Sequence, residues 1–352
     1  MNRRLIAASL AAVTLVVMSV VPAFASARRD GASLIAAGSS ADQPLFSAAF
    51  PNYGHGVSVN YQALGSGTGQ KDLNGGTVDF GCFDVPMLST DGFSNFSKIV
   101  QWPVALFGVS IVYNLPNLNA KLYLTGTQLA DIFDGHVTSW SNSELTHNNP
   151  GLKKLKGEKI AIVVRSDSSG TSYAYSDYLS KESKRFAKAT NSPSKTPTWP
   201  KSAIPGSHSS GVAAAVQATH GSIGYVETTY YQLNKTSFSE AYVKNKAGKY
   251  LQPSLKAVAA DAAAFKRPTS VHFSITNGKG KTAYPISTFS WCGMYKHHAD
   301  NPGTSAGNAA ASKALFQWEV KTGEGKYGPA LTYPKLPKNV VTAALGSISQ
   351  VS

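Results

Sequence analysis

Three short segments do most to limit what this chain can fold into. They are Gly38-Ser39-Ser40, Gly65-Ser66-Gly67-Thr68-Gly69 and Arg165-Ser166-Asp167-Ser168-Ser169-Gly170-Thr171. The first follows the apolar run around Leu34 and precedes a helical pattern from about Pro44. The second follows Val57 to Ala63, whose Val57-Ser58-Val59-Asn60-Tyr61 alternates with the period of a strand. The third follows Ile160-Ala161-Ile162-Val163-Val164, short and β-branched. Ala105 to Tyr113 reads as a further, buried strand. Helical spacing marks Thr127 to Phe133, Thr171 to Leu179, Leu255 to Phe265 and Ala309 to Val320. Asn191 to Gly211, rich in Pro, Ser and Gly, is predicted to be a long irregular connection. Strands alternating with helices predict α/β layers rather than a sandwich, and no internal repeat is visible.

A strand-to-helix loop of small residues lets a ligand approach the backbone. The first turn of the helix offers N–H groups without intrahelical partners and the positive end of the dipole. Serine and threonine hydroxyls add donors, and the set suits an oxyanion. Plain helix capping uses the same residue types. Three such loops, one carrying Arg165 with its planar fork of donors, make a tetrahedral-oxyanion site a live alternative to capping.

The N-terminus reads as a secretory signal peptide over residues 1–27. Arg3 and Arg4 precede an apolar run from Leu5 to Val21, and A-x-A endings at Ala25 and Ala27 offer cleavage points. The remaining length suits two ordinary domains. The formal charge of +14 falls to +12 without Arg3 and Arg4. That balance attracts anions, but no basic stripe interleaved with aromatics points to nucleic acid. In an exported chain Cys82 and Cys292 permit one disulfide or two buried thiols. Neither C-x-x-C nor H-E-x-x-H spacing occurs, so no metal is expected. The glycine loop is not a full G-x-G-x-x-G, since Gln70 follows Gly69. Gly280-Lys281-Thr282 lacks the earlier glycine of a P-loop, where Ile275 stands, and no G-x-S-x-G elbow is present.

Taken in order, the motifs resemble one family through nearly the whole mature chain. They are Ala36 to Ser40, Asn60 to Gly67, Val78 to Pro86, Val164 to Ser172, Gly211 to Ala214, Gly221 to Glu227 and Tyr284-Pro285-Ile286. The chain is similar to the substrate-binding protein of the high-affinity bacterial phosphate ABC transporter. The resemblance implies an α/β, two-lobed periplasmic binding protein fold with a ligand cleft between two mixed-sheet domains. Residues 28–114 plus 284–352 would form the first lobe and 115–283 the second. It implies a non-enzymatic, cofactor-free and monomeric receptor, exported to the periplasm or the outer face of the cell envelope. Such a receptor would hand inorganic phosphate to membrane permease subunits.

Carried over position by position, Ser40 and the backbone of Ala41, Ser66, and Asp84 would bind phosphate from the first lobe. Arg165, Ser169, the N–H of Gly170, and Thr171 would bind from the second, with Asp167 orienting the arginine. On the same template Cys82 and Cys292 lie in the first lobe, where a disulfide would tie its two chain segments together. The chain departs from the family at Ser40-Ala41, where Thr-Phe is usual, at Phe83 beside Asp84, and at Ser166 and Ser168. Asp84 speaks for phosphate over sulfate or molybdate, because only a protonated anion can donate to a carboxylate. The remaining readings are an exported phosphoryl-transfer enzyme and a surface protein that binds polyanions by charge.

Overall fold

The computed structural model describes residues 31–263 and 273–352. The expected signal peptide, residues 1–27, lies outside the described residues, as does Phe265 at the end of one expected helix. The strands are β1 (Ser33–Gly38), β2 (Ser58–Gln62), β3 (Phe80–Phe83), β4 (Ile99–Asn114), β5 (Tyr123–Leu124) and β6 (Ala161–Arg165). They continue with β7 (Ile204–Gly206), β8 (Ser222–Glu227), β9 (Ser239–Glu240), β10 (Tyr242–Lys244), β11 (Tyr250–Leu251) and β12 (Ser287–Tyr295). The main sheet runs β2-β1-β3-β12-β4-β8-β6-β7, with β9 beside β4, and β11-β10-β5 form a small separate sheet.

β4 organises the rest. All but the last of its sixteen residues are buried, and its sequence is almost continuously apolar, as a strand covered on both faces requires. Ile99 to Gly108 pair with β12, and Val109 to Asn114 pair with β8. One strand therefore belongs to two halves of the sheet. Its ladder slips at Pro103, where Trp291 pairs with Pro103 while Ser290 pairs with Ala105. Proline has no N–H to give, and a bulge absorbs the defect.

On each side of β4 the connectivity is the same. β1 lies between β2 and β3, parallel to both, and β6 lies between β7 and β8, again parallel to both. The chain thus leaves each central strand to one flank and returns to the other. The loops beyond the carboxyl ends of β1 and β6 open a crevice at such a switch point, where ligands of open α/β sheets bind. The helices that follow these strands include α1 (Gln43–Ala49) after β1 and α2 (Ser66–Gly75) after β2. After α3 (Gly126–Phe133) and α4 (Ser143–Asn148), α5 (Gly170–Glu182) and α6 (Lys184–Thr190) follow β6, and α7 (His208–Ala218) follows β7.

Asn191 to Gly211 is not wholly irregular, contrary to expectation: β7 and the start of α7 lie inside it. The strand has three residues, one of them Pro205, and it sits at the sheet edge, where proline is tolerated. The expected helix at Ala309–Val320 runs over Ala306–Trp318 and continues through a π-helical turn, Glu319–Gly323.

Aromatic side chains fill the core on both sides. Phe46, Phe50, Phe80 and Trp102 gather around Phe316 in the first half. Phe133, Tyr175, Trp199 and Tyr225 pack together in the second. Cys82 of β3 pairs in register with Cys292 of β12, and a disulfide joins them across 210 residues of sequence. Closing so long a loop removes much entropy from the unfolded chain. Replacing both cysteines by serine should cost about 2–5 kcal/mol of stability. Denaturant unfolding with and without reductant measures it; identical midpoints would show the bond to be energetically idle.

Candidate functional site

The loops beyond β1, β2 and β3 meet those beyond β6, β7 and β8, and nearly every residue singled out by sequence is at this meeting. Ser40, Ser66, Asp84, Arg165, Ser169 and Thr171 are all buried. Several of their polar atoms are partnered there, some within one half and some across the two. Thr171 Oγ1 donates to Asp84 Oδ2 at 3.1 Å, and Ser66 Oγ accepts from the Asp84 N–H at 3.1 Å. Ser40 Oγ stands 3.1 Å from Ser209 Oγ. The N–H of Gly67, in the first turn of α2, donates to the Ser168 carbonyl at 2.9 Å.

Two glycines make this approach feasible. Gly65, at φ 91°, caps α2, and a Cβ there would lie 2.3 Å from Asp167 Oδ2. A Cβ on Gly170 would lie 2.5 Å from Ser66 Oγ and 2.6 Å from Asp84 Cβ. Any larger residue at 170 would hold the first turn of α5 away from the opposite loops.

Arg165 ends β6 and is 5 % exposed. Asp167 receives its Nε and Nη2 at 2.7 and 2.5 Å, a two-pronged pairing that uses one edge of the guanidinium. Nη1 donates to Ser209 Oγ at 3.2 Å. Burial pushes against ionised Asp167, yet the bonds from Arg165 and from the His208 N–H hold its carboxyl below the usual range. The pair fixes the arginine's plane and aims its other edge into the meeting of the loops.

Not every expected residue is turned toward the opposite half. The Ala41 N–H donates to Ser39 Oγ at 3.0 Å, and Ser169 Oγ accepts from the Ser172 N–H as the N-cap of α5. Both are the capping use that serine also favours.

Asp84 Oδ1 is buried and has no hydrogen-bond partner. Burial raises the Asp84 carboxyl to about 6, opposed by the Ser39 hydroxyl, Arg165 and Thr171. Near neutral pH it is therefore chiefly ionised: an acceptor with one oxygen held and one unsatisfied. Two more acids, neither singled out by sequence reasoning, lie close by. Asp42 accepts from Ser290 Oγ at 2.6 Å, and burial followed by the Asp84 charge drives its carboxyl well above the usual range. Glu227 ends β8, in the place Asp84 holds after β3. Burial pushes it up to about 8, so near neutral pH it is chiefly protonated. Ser209 is the other functional candidate missed. The only signal for it was a serine-rich turn, Ser207 to Ser210, inside a stretch read as irregular.

Among the described residues, no group of His, Cys, Asp and Glu is arranged to hold a metal ion, and no helix is long and apolar enough to cross a membrane. Chemically the site gathers hydroxyl, amide and guanidinium donors around the Asp84 carboxyl, with a second carboxylate, Asp167, already taken up by Arg165.

Sequence and fold comparisons define the class. The PBP superfamily domain matches residues 24–318. The phosphate-binding protein PstS of Xylella fastidiosa is 37 % identical over 310 residues, 87 % of this chain and 82 % of that protein. PstS of Haemophilus influenzae is 33 % identical over 315 residues, 88 % of this chain and 90 % of its own. The crystal structure of a phosphate-binding protein from Stenotrophomonas maltophilia superposes with a TM-score of 0.66 at 20 % identity, covering 90 % of this chain and 94 % of that one. The chain belongs to the PBP superfamily and, within it, to the PstS phosphate-binding protein family. Its fold is the two-lobed α/β fold of that class.

The buried acids set a pH dependence of stability. Glu227, Glu240 and Glu319 are each pushed up to about 8 by burial, from an ordinary 4.5. An acid that holds its proton more tightly when folded adds stability that is complete below its unfolded pKa and lost as pH rises through the folded one. Without ligand, the melting temperature should therefore fall from about pH 5 to about pH 8.5. Scanning calorimetry in phosphate-free buffers tests this; a rise across that window would mean the acids are ionised and paired in the folded protein.

Proposed function

We propose that this protein is an exported receptor that clamps one inorganic phosphate between its two lobes and delivers it to the permease of an ABC transporter. Residues 1–27 are removed on export, and the mature chain works as a monomer outside the cytoplasmic membrane, without cofactor and without catalysis. Membership of the PstS family supports the ligand and the transport role. The lobes are residues 28–114 plus 284–352 and residues 115–283; β4 supports this by reaching from one to the other, its partner changing from β12 to β8 at Gly108 and Val109.

One observation carries the choice of ligand: the unpartnered Asp84 Oδ1, buried among donors. Phosphate near neutral pH keeps at least one proton. Its bare oxygens accept from Ser40, Ser66, the Gly170 N–H and Arg165, and from Thr171 once that hydroxyl turns its one proton from Asp84 Oδ2 to the anion, while its P–O–H donates to Asp84. Sulfate has no proton to give and would set negative charge against an ionised carboxylate in a dry site. Sites built to pair a ligand's polar hydrogen reject analogues lacking it by about 10⁴–10⁵ in favourable cases. Ser169 completes the second lobe's contribution by holding the first turn of α5, and Asp167 holds Arg165. Ligand contacts from both lobes favour the closed arrangement over the open one.

Isothermal titration with phosphate and sulfate tests the reading. Asp84→Asn should weaken phosphate binding by roughly ten- to hundredfold and relax rejection of sulfate. In the unmodified protein, sulfate should bind better as pH falls below about 6, where Asp84 gains a proton, and this trend should vanish in Asp84→Asn. Equal sulfate rejection by both proteins at all pH values would remove Asp84 from the selectivity mechanism.

A further inference from the structure

The two halves share their strand order, so their loops correspond in pairs. The loop after β1, with Ser39 and Ser40, answers to the loop after β6, with Arg165 to Ser169. The loop after β3, with Asp84, answers to the end of β8, with Glu227. The remaining pair is the loop after β2, which holds Ser66 at the start of α2, and the loop after β7, which holds Ser209 in the first turn of α7. Ser66 is in the proposed phosphate site. Its counterpart has no assigned role.

Ser209 is 1 % exposed, and its hydroxyl bonds to neither its own helix nor its own loop. A serine in a first turn ordinarily bonds to nearby backbone. Here Ser209 Oγ accepts from Arg165 Nη1 at 3.2 Å and stands 3.1 Å from Ser40 Oγ, while its N–H reaches Ser40 Oγ at 3.4 Å. Its oxygen therefore bridges two donors, one from each half, that the proposed function assigns to the same anion. A hydroxyl has one proton to give and two lone pairs. With a lone pair engaged by Arg165, the proton is left for an acceptor near Ser40. In the protein alone the Ser209 hydroxyl shares a hydrogen with Ser40 Oγ and has the Glu227 carboxyl as a second neighbour; an anion held by Ser40 and Arg165 puts a more strongly accepting oxygen within the same reach.

We propose that Ser209 is a further phosphate-binding residue, supplying its hydroxyl from the end of β7 as Ser66 does from the end of β2. The proposal rests on the phosphate-receptor reading. It enlarges the second lobe's share of the site from one loop to two, so that closure brings three loops of the first lobe and two of the second onto the ligand. Because the hydroxyl also takes a hydrogen bond from Arg165, losing it frees the guanidinium edge as well as removing a donor.

Phosphate titrations of the unmodified protein, Ser209→Ala and Ser209→Thr, with the ligand-free melting temperature of each, test it. The expected result is a loss of roughly ten- to hundredfold in affinity for Ser209→Ala, the scale of one hydrogen bond to a charged group. Affinity should return to within about threefold in Ser209→Thr, which keeps the hydroxyl, with melting temperatures close to the unmodified protein's. If the unmodified protein binds phosphate and Ser209→Ala binds it equally well, the inference fails and the phosphate-receptor reading stands. If the unmodified protein does not bind phosphate, the reading fails and takes the inference with it. Should Ser209→Ala not fold, Ser209→Cys, close in size with a far weaker donor, takes its place under the same criteria.

Discussion

A guanidinium removed from water has to be neutralised where it stands, and Arg165 at the end of β6 is the group on which the rest of the site depends. Asp167, two residues on, takes one edge of the fork. An isolated buried charge would cost several kcal/mol; a charge paired on one side and hydrogen-bonded on the other is tolerated and directional. The bond from the His208 N–H to Asp167 extends the constraint to α7. A strand end, a loop aspartate and a second helix are thereby locked to one plane. The guanidinium's orientation is thus fixed by the protein itself, and for a receptor that uses it such preorganisation lowers the ordering cost of binding.

The second organising fact is the repeated strand order around β1 and β6. Parallel strands place every loop that leaves their carboxyl ends on one rim, and β4 joins the two sheet halves so that the rims meet. Small residues are then needed wherever one rim touches the other, and Gly65 and Gly170 are such places. The same geometry sorts the acids. Asp84 has hydroxyl and guanidinium neighbours that pull its pKa back down, and it titrates near 6. Glu227, in the matching position, is raised further and stays neutral. One rim thus presents a charge acceptor and the other does not, which suits an anion that brings its proton on one side.

Much of this was legible in the residues. Gly38 to Ser40, Gly65 to Gly69 and Arg165 to Thr171 announced strand-to-helix loops, and the observed strands and helices flank them within a few residues. Asp84 and Arg165 could be named because each stands inside a motif with a distinct composition. β7 could not be seen: Ile204-Pro205-Gly206 is too short for any period to show and contains the residue that most argues against a strand. With β7 hidden, α7 lost its start and Ser209 its context. The repeated topology was equally invisible, since the halves share connectivity and not sequence. Serines 39, 40, 169 and 209 are alike in type, and whether each caps a helix or faces the other half is decided by tertiary placement. Ser39 and Ser169 each accept from the backbone of their own loops, Ser39 also reaching Asp84; Ser40 and Ser209 reach across.

The disulfide also bears on what a cut in the backbone would do to the chain. Cys82 and Cys292 bracket the whole excursion of the polypeptide through the second half, from β4 to the return into β12. A protease that cuts anywhere in that excursion leaves both fragments covalently joined. The nicked molecule keeps its two fragments anchored in adjacent, paired strands, so neither can diffuse away from the other. Such a chain can be cut once in its second half and still remain one particle.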